Sequence, residues 1–521
     1  MNGLPWITLL TLVPLSGALL ILLVAGKNRN AARALAAATG AAALAVTILL
    51  WHGFDAATGA LQFQERYAWI PALGVDYHVA IDGLGLLALL LSAIVALMSI
   101  AASWDTREHG RLYFALVLFL EAGLFGTFTA LNFIHWFFFW ELSLIPAFFL
   151  IRLWGGSQRA RAANQFFVYT MVGSVALLLA FLALYLATGK FDFIDLAQMA
   201  RSGQLIPELA RNLSWHHRTG EQTAWWLFWL AFLGFAVKIP IIPFHTWLPS
   251  TYAEAPSSTT MLLTGAMSKM GLYGLLRILL PIFPAQMQRA LTLLLWLAVA
   301  SVVLSALAAW AQTDMKRMFA YSSINHLGYC VLGIFAAARW TGGSLATEKA
   351  AALDGVYLQI FNHAVMAAVI FWFVALLEKR SGGLRGLNDF GGLRKIAPVF
   401  CGLMGIAVFS ALGLPGLNGF PGEFLIFKGA FPLATWAAVL SGIGLLVTAI
   451  FLLQLLERVF FGPVNERWRT MPDLSLGERL AVFPAIALML VLGFYPQIIV
   501  GTVNSTVVQL VTQLKPLPPG F

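Results

Sequence analysis

Long apolar runs separated by short polar loops set the pattern of this chain. A bilayer core of ~30 Å requires roughly 20 apolar residues per helix. Fourteen runs of about that length occur, at 4–25, 31–51, 79–103, 111–129, 130–152, 164–187, 224–245, 257–281, 289–311, 317–338, 355–378, 397–430, 433–456 and 480–503. They predict an all-α, polytopic membrane protein of about 14 transmembrane helices. No charge precedes the first run and no small-residue cleavage site follows it, so it reads as a retained helix, not a signal peptide. The longest loop, 188–222, is too short to hold a soluble domain.

Composition points the same way. Of 521 residues 60% are hydrophobic and 11% charged, whereas a soluble domain carries about 25% charged residues. Disorder is excluded because it needs low hydrophobicity. Two cysteines, Cys330 and Cys401, both in apolar runs, exclude a disulfide framework, a zinc cage or an iron–sulfur cluster held by this chain alone. Both read as inert buried thiols. The net charge of +9 suggests loop charges that orient the chain in a membrane, not a nucleic-acid partner. Odd-numbered loops hold 19 Lys and Arg, against 10 in the even-numbered loops and C-terminus. By the positive-inside rule the odd loops face the cytoplasm, and an even span count puts both termini outside.

Two runs are broken. Lys238-Ile-Pro240-Ile-Ile-Pro243-Phe-His245 interrupts the seventh, and Gly413-Leu-Pro415-Gly416…Phe-Pro421-Gly422-Glu423 the twelfth. Proline removes a backbone N–H and clashes with the preceding turn, so each span should become two half-helices. The breaks lie 175 residues and five spans apart. An odd offset makes the second copy enter the membrane from the opposite side, the pattern of an inverted repeat with a transport site at its broken helices. The predicted organisation is an N-terminal three-helix segment (1–110), a five-helix repeat (111–281), its inverted copy (289–456), and a C-terminal helix and tail (457–521).

Ionisable residues inside the runs are the candidate chemistry. Glu141, Lys238, Lys269 and Glu423 fall mid-run or at a break, with His326, His363 and Glu121 as auxiliaries. A central Lys or Asp costs ~2.5–3.5 kcal/mol on insertion scales, so such groups should face one another and water. Burial favours the neutral form of such a group and an opposite charge favours the ionised form. A lysine poised between the two gains or loses its proton as its partner moves, and imidazole titrates near neutrality. Arg277, Glu378 and Lys428 lie toward run ends and are expected to snorkel or cap. Asp82 is expected to cap the third helix. His245 has an interfacial or a conducting role. His52, His78, His109, His135, His216 and His217 receive none. No dinucleotide fingerprint, Walker loop or metal-ligand spacing is present, so electron transfer is not expected of this chain.

The segments Trp140-Glu141-Leu, Lys238-Ile-Pro-Ile-Ile-Pro-Phe-His245-Thr-Trp-Leu-Pro249, Glu254-Ala-Pro256, Ser268-Lys269, Gly-Leu-Pro415-Gly…Gly-Phe-Pro-Gly-Glu423 and Gly-Phe-Tyr495-Pro resemble the antiporter-like subunits of respiratory complex I. Glutamate at the second break is similar to the M type, where L- and N-type relatives usually carry lysine. The resemblance implies a proton path. In it Glu141 and Lys238 are a modulating pair, Lys269 the central relay, His326 and His363 its continuation, and Glu423 the exit-side terminus. It implies no cofactor on this chain, with NADH, FMN, iron–sulfur clusters and quinone on partner subunits. It also implies L- and N-type neighbours and a bacterial inner membrane. The alternatives are a multisubunit sodium/proton antiporter and a membrane-bound hydrogenase-type complex.

Overall fold

A computed structural model describes residues 3–24, 28–106, 109–213 and 219–514. His216, His217 and the end of the tail, 515–521, lie outside the described residues. Among the described residues ten helices are long and apolar enough to cross a membrane, so the chain is a multi-span membrane protein.

Helices α1 (Trp6–Val24) and α2 (Arg29–Gly53) are followed by an antiparallel hairpin, β1 (Gln62–Ile70) and β2 (Val75–Ile81), that the apolar-run reading does not contain. Residues 79–81, expected in the third span, belong to β2. Helix α3 (Gly83–Ala102) starts only where the Asp82 carboxylate accepts from the Gly85 N–H, so the expected cap is present. The hairpin caps a neighbour too: the Glu65 carboxylate accepts from the N–H groups of Ile7 (2.8 Å) and Thr8 (3.2 Å) at the start of α1. Those donors have no partner within their own helix.

Helices α4 (Gly110–Thr129), α5 (Phe133–Trp154) and α6 (Arg159–Thr188) follow, then two short helices, α7 (Phe193–Arg201) and α8 (Leu205–Asn212). Helix α9 (Gly220–Lys238) opens on a Thr219/Gln222 capping box and stops at Lys238, two residues before Pro240. The chain turns through 239–246 and resumes as α10 (Trp247–Glu254). Protein covers the opened backbone: Trp247 Nε1 donates to the Val237 carbonyl (2.9 Å), and the Ile242 N–H to Ser301 Oγ (3.0 Å). Irregular backbone at membrane depth survives only when satisfied in this way.

The next run winds through α11 (Ser257–Leu262), a π-turn at Leu263–Met267, α12 (Lys269–Gly274), a second π-turn at Leu275–Leu279, and α13 (Leu280–Ile282). Helices α14 (Pro284–Trp310), α15 (Met315–Ala337), α16 (Ala346–Ser381) and the short α17 (Leu393–Ile396) come next. The second break separates α18 (Pro398–Ala411) from α19 (Gly419–Leu433). Helix α16 crosses α19 closely because Gly355 and Gly422 lack side chains. A Cβ at Gly355 would lie 2.5 Å from the Ile426 nitrogen, and one at Gly422 2.6 Å from Gln359 Oε1.

After α20 (Thr435–Phe460), the last expected run divides at Tyr495-Pro496 into α21 (Leu476–Phe494) and α22 (Gln497–Gln513). Helix α22 lies against α3 and α16, and Thr506 Oγ1 accepts from the Gly83 N–H at 3.0 Å. The hairpin, α7 and α22 share one face. Arg385, Glu254, Asp314 and Glu378 gather at the opposite face.

Candidate functional site

Four titratable side chains from four helices form a series at the centre of the fold, hydrogen-bonded at each end and joined by ring contact in the middle. Lys269, which opens α12, places Nζ 2.6 Å from His363 Nδ1 on α16. The His363 and His326 rings have centroids 5.3 Å apart. His326 Nδ1 on α15 is 3.0 Å from Glu423 Oε1 on α19. None of the four is more than 5% exposed. Gln359, one turn before His363, joins as well: its Nε2 donates to Glu423 Oε1 at 3.3 Å and lies 3.5 Å from His326 Nδ1.

The backbone explains how Lys269 is held. In the π-turn the Ser268 N–H reaches back to the Leu263 carbonyl at 3.0 Å. The Thr264 carbonyl accepts from Ser268 Oγ (2.9 Å) and from Lys269 Nζ. Single π-turns inside helices recur at functional sites for this reason. At the second break, Asn362 Nδ2 donates to the Asn418 carbonyl, and Asn418 Nδ2 returns a bond to the Asn362 carbonyl at 3.2 Å. The asparagine that precedes His363 therefore holds the break, and the half-helix after it presents Glu423.

Lys238 and Glu141 sit apart from this chain. They are within electrostatic reach of each other but make no direct ion pair. Lys238 Nζ lies instead over the Trp140 ring, 4.7 Å from its centroid, a cation–π contact. Trp140 Nε1 donates to Ser174 Oγ at 3.0 Å. Glu121 is brought to none of the others: it is fully buried, and neither carboxylate oxygen has a hydrogen-bond partner among the described residues. The Nδ1 atom of His245 is likewise without one.

Two snorkelling expectations are corrected. Arg277 reaches back into the protein and pairs with Asp82, and Glu378 accepts from Ser257 Oγ at 2.6 Å beside Lys316 (3.6 Å) and Arg385 (3.9 Å). In each case a protein partner within reach replaces interfacial water. Lys428 is exposed. Lys316 escaped the sequence reading because it falls one residue before the tenth apolar run, yet it is 2% exposed and donates to the Ala255 carbonyl at 2.6 Å. His78, given no role, is 2.5 Å from the Asp192 carboxylate.

The model of the family described as NADH:quinone oxidoreductase/Mrp antiporter, TM matches residues 130–450, which hold every residue of the four-membered chain together with Glu141 and Lys238. The NADH-quinone oxidoreductase subunit M of Rhodobacter capsulatus is 34% identical over 97% of this chain and 96% of its own. The chain belongs to the subunit M family. The family member from Mycobacterium tuberculosis is 32% identical over 99% of this chain and 95% of its own. In solved structures, a chain of respiratory complex I from Thermus thermophilus with bound NADH superposes with a TM-score of 0.84 at 27% identity, covering 98% of this chain and 100% of that one. A chain of the Mrp complex from Dietzia sp. shares the fold, with a TM-score of 0.82 at 18% identity over 99% of this chain and 100% of its own. The M-type resemblance seen in the motifs is thus borne out.

Proposed function

We propose that this chain is the proton-translocating, non-redox membrane subunit M of an NADH:quinone oxidoreductase. The observation that carries the mechanism is the contact series Lys269–His363–His326–Glu423, with no apolar side chain between its members. A proton leaving the Lys269 ammonium is accepted by His363, passes to His326 and reaches the Glu423 carboxylate. Each imidazole takes a proton on one nitrogen and releases one from the other. Gln359 orients Glu423 and His326 without titrating.

Lys238 and Glu141 act on this chain as an electrostatic modulator. With its ammonium on the Trp140 face and Glu141 nearby, Lys238 has two alternative partners. Occupation of one or the other changes the field felt by Lys269. Glu121, buried without a hydrogen-bond partner among the described residues, is an auxiliary of the proton path that stands apart from both groups. Driving one proton against roughly 180 mV takes about 4 kcal/mol, supplied by quinone reduction in partner subunits.

The architecture completing this reading has 14 spans, with 111–281 and 289–456 as inverted repeats and the two breaks in equivalent spans. Both termini lie on the periplasmic side of a bacterial inner membrane, L- and N-type subunits flank the chain, and NADH, FMN, iron–sulfur clusters and quinone reside on partners. The sodium/proton antiporter alternative rests on the shared fold and on a family model common to both kinds of protein.

The test is Lys238→Ala in the reconstituted complex. Proton pumping and coupled quinone reduction should both fall by roughly tenfold or more while assembly persists, a loss equivalent to about 1.4 kcal/mol or more in barrier height. Normal pumping would refute the role.

A further inference from the structure

The winding run from α11 to α13 carries Lys269 midway between two cavities on opposite faces. Ser258, at its start, lines a cavity of about 560 Å³ together with Ser103, Asp105 and Lys379. Arg277, near its end, lines a second of about 270 Å³ on the hairpin face, with Asp82, Tyr357, Arg201 and Gln509. About two turns of the winding run part Lys269 from Arg277 on the wall of this second cavity. Tyr273 follows Lys269 by four residues on the same face of α12, and Arg277 comes one turn later. The Arg277 guanidinium lies 5.6 Å from the Tyr273 ring centroid. From α16, Tyr357 lies six residues before His363, and it shares the electrostatic neighbourhood of Asp82, Arg277, Asp354 and Tyr273.

Arg277 is held by Asp82 and by Tyr273, yet one of its donors is unsatisfied among the described residues. Its Nη2 meets Asp82 Oδ2, whereas its buried Nε has no hydrogen-bond partner among the described residues. A pin that served packing alone would be satisfied at both ends; this one borders a polar cavity and keeps a donor in reserve. The other Asp82 oxygen is committed to the cap of α3, so the carboxylate is fixed and the arginine is the element free to move.

We propose that the Asp82–Arg277 pair is a latch closing a hairpin-face half-channel that leads to Lys269. The proposal rests on the reading of Lys269 as a relay. With the latch closed, the guanidinium charge repels protons and its bulk separates cavity water from Tyr273. When Arg277 swings from Asp82, water passes Tyr357, which already lines the cavity, and reaches Tyr273. Lys269 then exchanges a proton with cavity water along a hydroxyl–water chain, each hydroxyl accepting one proton as it gives up another, so the tyrosines end as they began.

The test uses the whole complex in sealed vesicles, with assembly checked by co-purification of its subunits. Arg277→Gln should raise passive proton conductance under an imposed potential, without NADH, by roughly tenfold or more, because one partner of a buried pair has been lost. Arg277→Lys should restore tightness, and adding Lys269→Gln to Arg277→Gln should abolish the leak. An assembled Arg277→Gln complex with unchanged conductance overturns the latch, and a leak that survives in the double variant overturns the route to Lys269. Should Arg277→Gln not assemble, exposed Gln509 on the cavity wall decides. Gln509→Cys, modified from the hairpin face by a bulky impermeant thiol reagent, should lower the protons pumped per electron; an unchanged ratio overturns the proposal. The relay itself is judged separately, by pumping in Lys269→Gln alone.

Discussion

Replacing His363 by leucine attacks the proton chain at its tightest joint. Lys269 Nζ is 2.6 Å from His363 Nδ1, and the His363 ring centroid is 5.3 Å from that of His326. Removing the imidazole takes away the ring between the ammonium and His326, while one proton transfer has a reach of about 2.6–3.2 Å. Leucine fills that space with apolar atoms, so water does not bridge it, and Lys269 keeps only the Thr264 carbonyl. A positioned proton acceptor is worth typically about 10²–10⁴-fold in transfer rate, so its removal should slow transfer through this subunit by about 100-fold or more. His363→Ala differs in kind, because the space opened holds about two waters at ~30 Å³ each. Its defect should be smaller, and added imidazole should relieve it. The assay is proteoliposomes of the whole complex, with a pH-sensitive dye and NADH oxidation recorded together. A leucine variant with undiminished protons per electron would refute the chain. So would an alanine variant as impaired as leucine and unresponsive to imidazole, since the ring would then serve packing alone.

Glu423→Gln should impair pumping more than Lys428→Ala, because Glu423 is 5% exposed and bonded to His326 and Gln359 while Lys428 is exposed; the reverse order in the same vesicle assay would misplace the terminus of the chain. Gly355→Val should lower the stability of the solubilised complex by ~1–3 kcal/mol, since its Cβ meets the Ile426 backbone at 2.5 Å, and an unchanged melting temperature would show that α16 and α19 part readily. Asp473, in the loop before α21, is partly buried, which alone would raise its carboxyl. The N–H groups of Val399 and Phe400 (both 2.9 Å) and Leu474 (2.7 Å), with Arg479 near, outweigh this and hold it below the usual carboxylate range. Its native value is thus below its unfolded one, so its stabilisation is complete above about pH 4 and fades only as acid titrates the depressed native group. Hydrogen-exchange protection at Val399 and Phe400 should be flat from pH 8 to 5 and reduced in Asp473→Asn; loosening between pH 7 and 5 would refute the assignment.

Features written in local chemistry were legible in the sequence. Pro240 and Pro415 announce their breaks, since a missing N–H acts on the residue's own turn. Lys269, His326, His363 and Glu423 stand out because charge is expensive in lipid. Pairing over long separations was not legible. Arg277 near a helix end looks like a snorkelling side chain until the fold brings Asp82 to it. Gln359 carries no charge and no pattern, so only the crossing of α16 with α19 reveals its place between His326 and Glu423. Glu141 and Lys238 illustrate the converse: opposite charge suggested a contact, and the Trp140 ring took the ammonium instead. The hairpin at 62–81 leaves no mark in the apolar runs, because a strand alternates between its two faces.

The reciprocal amide bonds between Asn362 and Asn418 have a mechanical consequence. They fasten the hinge of the second break to the residue adjoining His363, on a helix of 36 residues that runs from one face toward the other. Rocking of the half-helix that bears Glu423 is therefore transmitted through two carboxamides to the imidazole facing Lys269. The two ends of the proton wire are geared together and cannot shift independently.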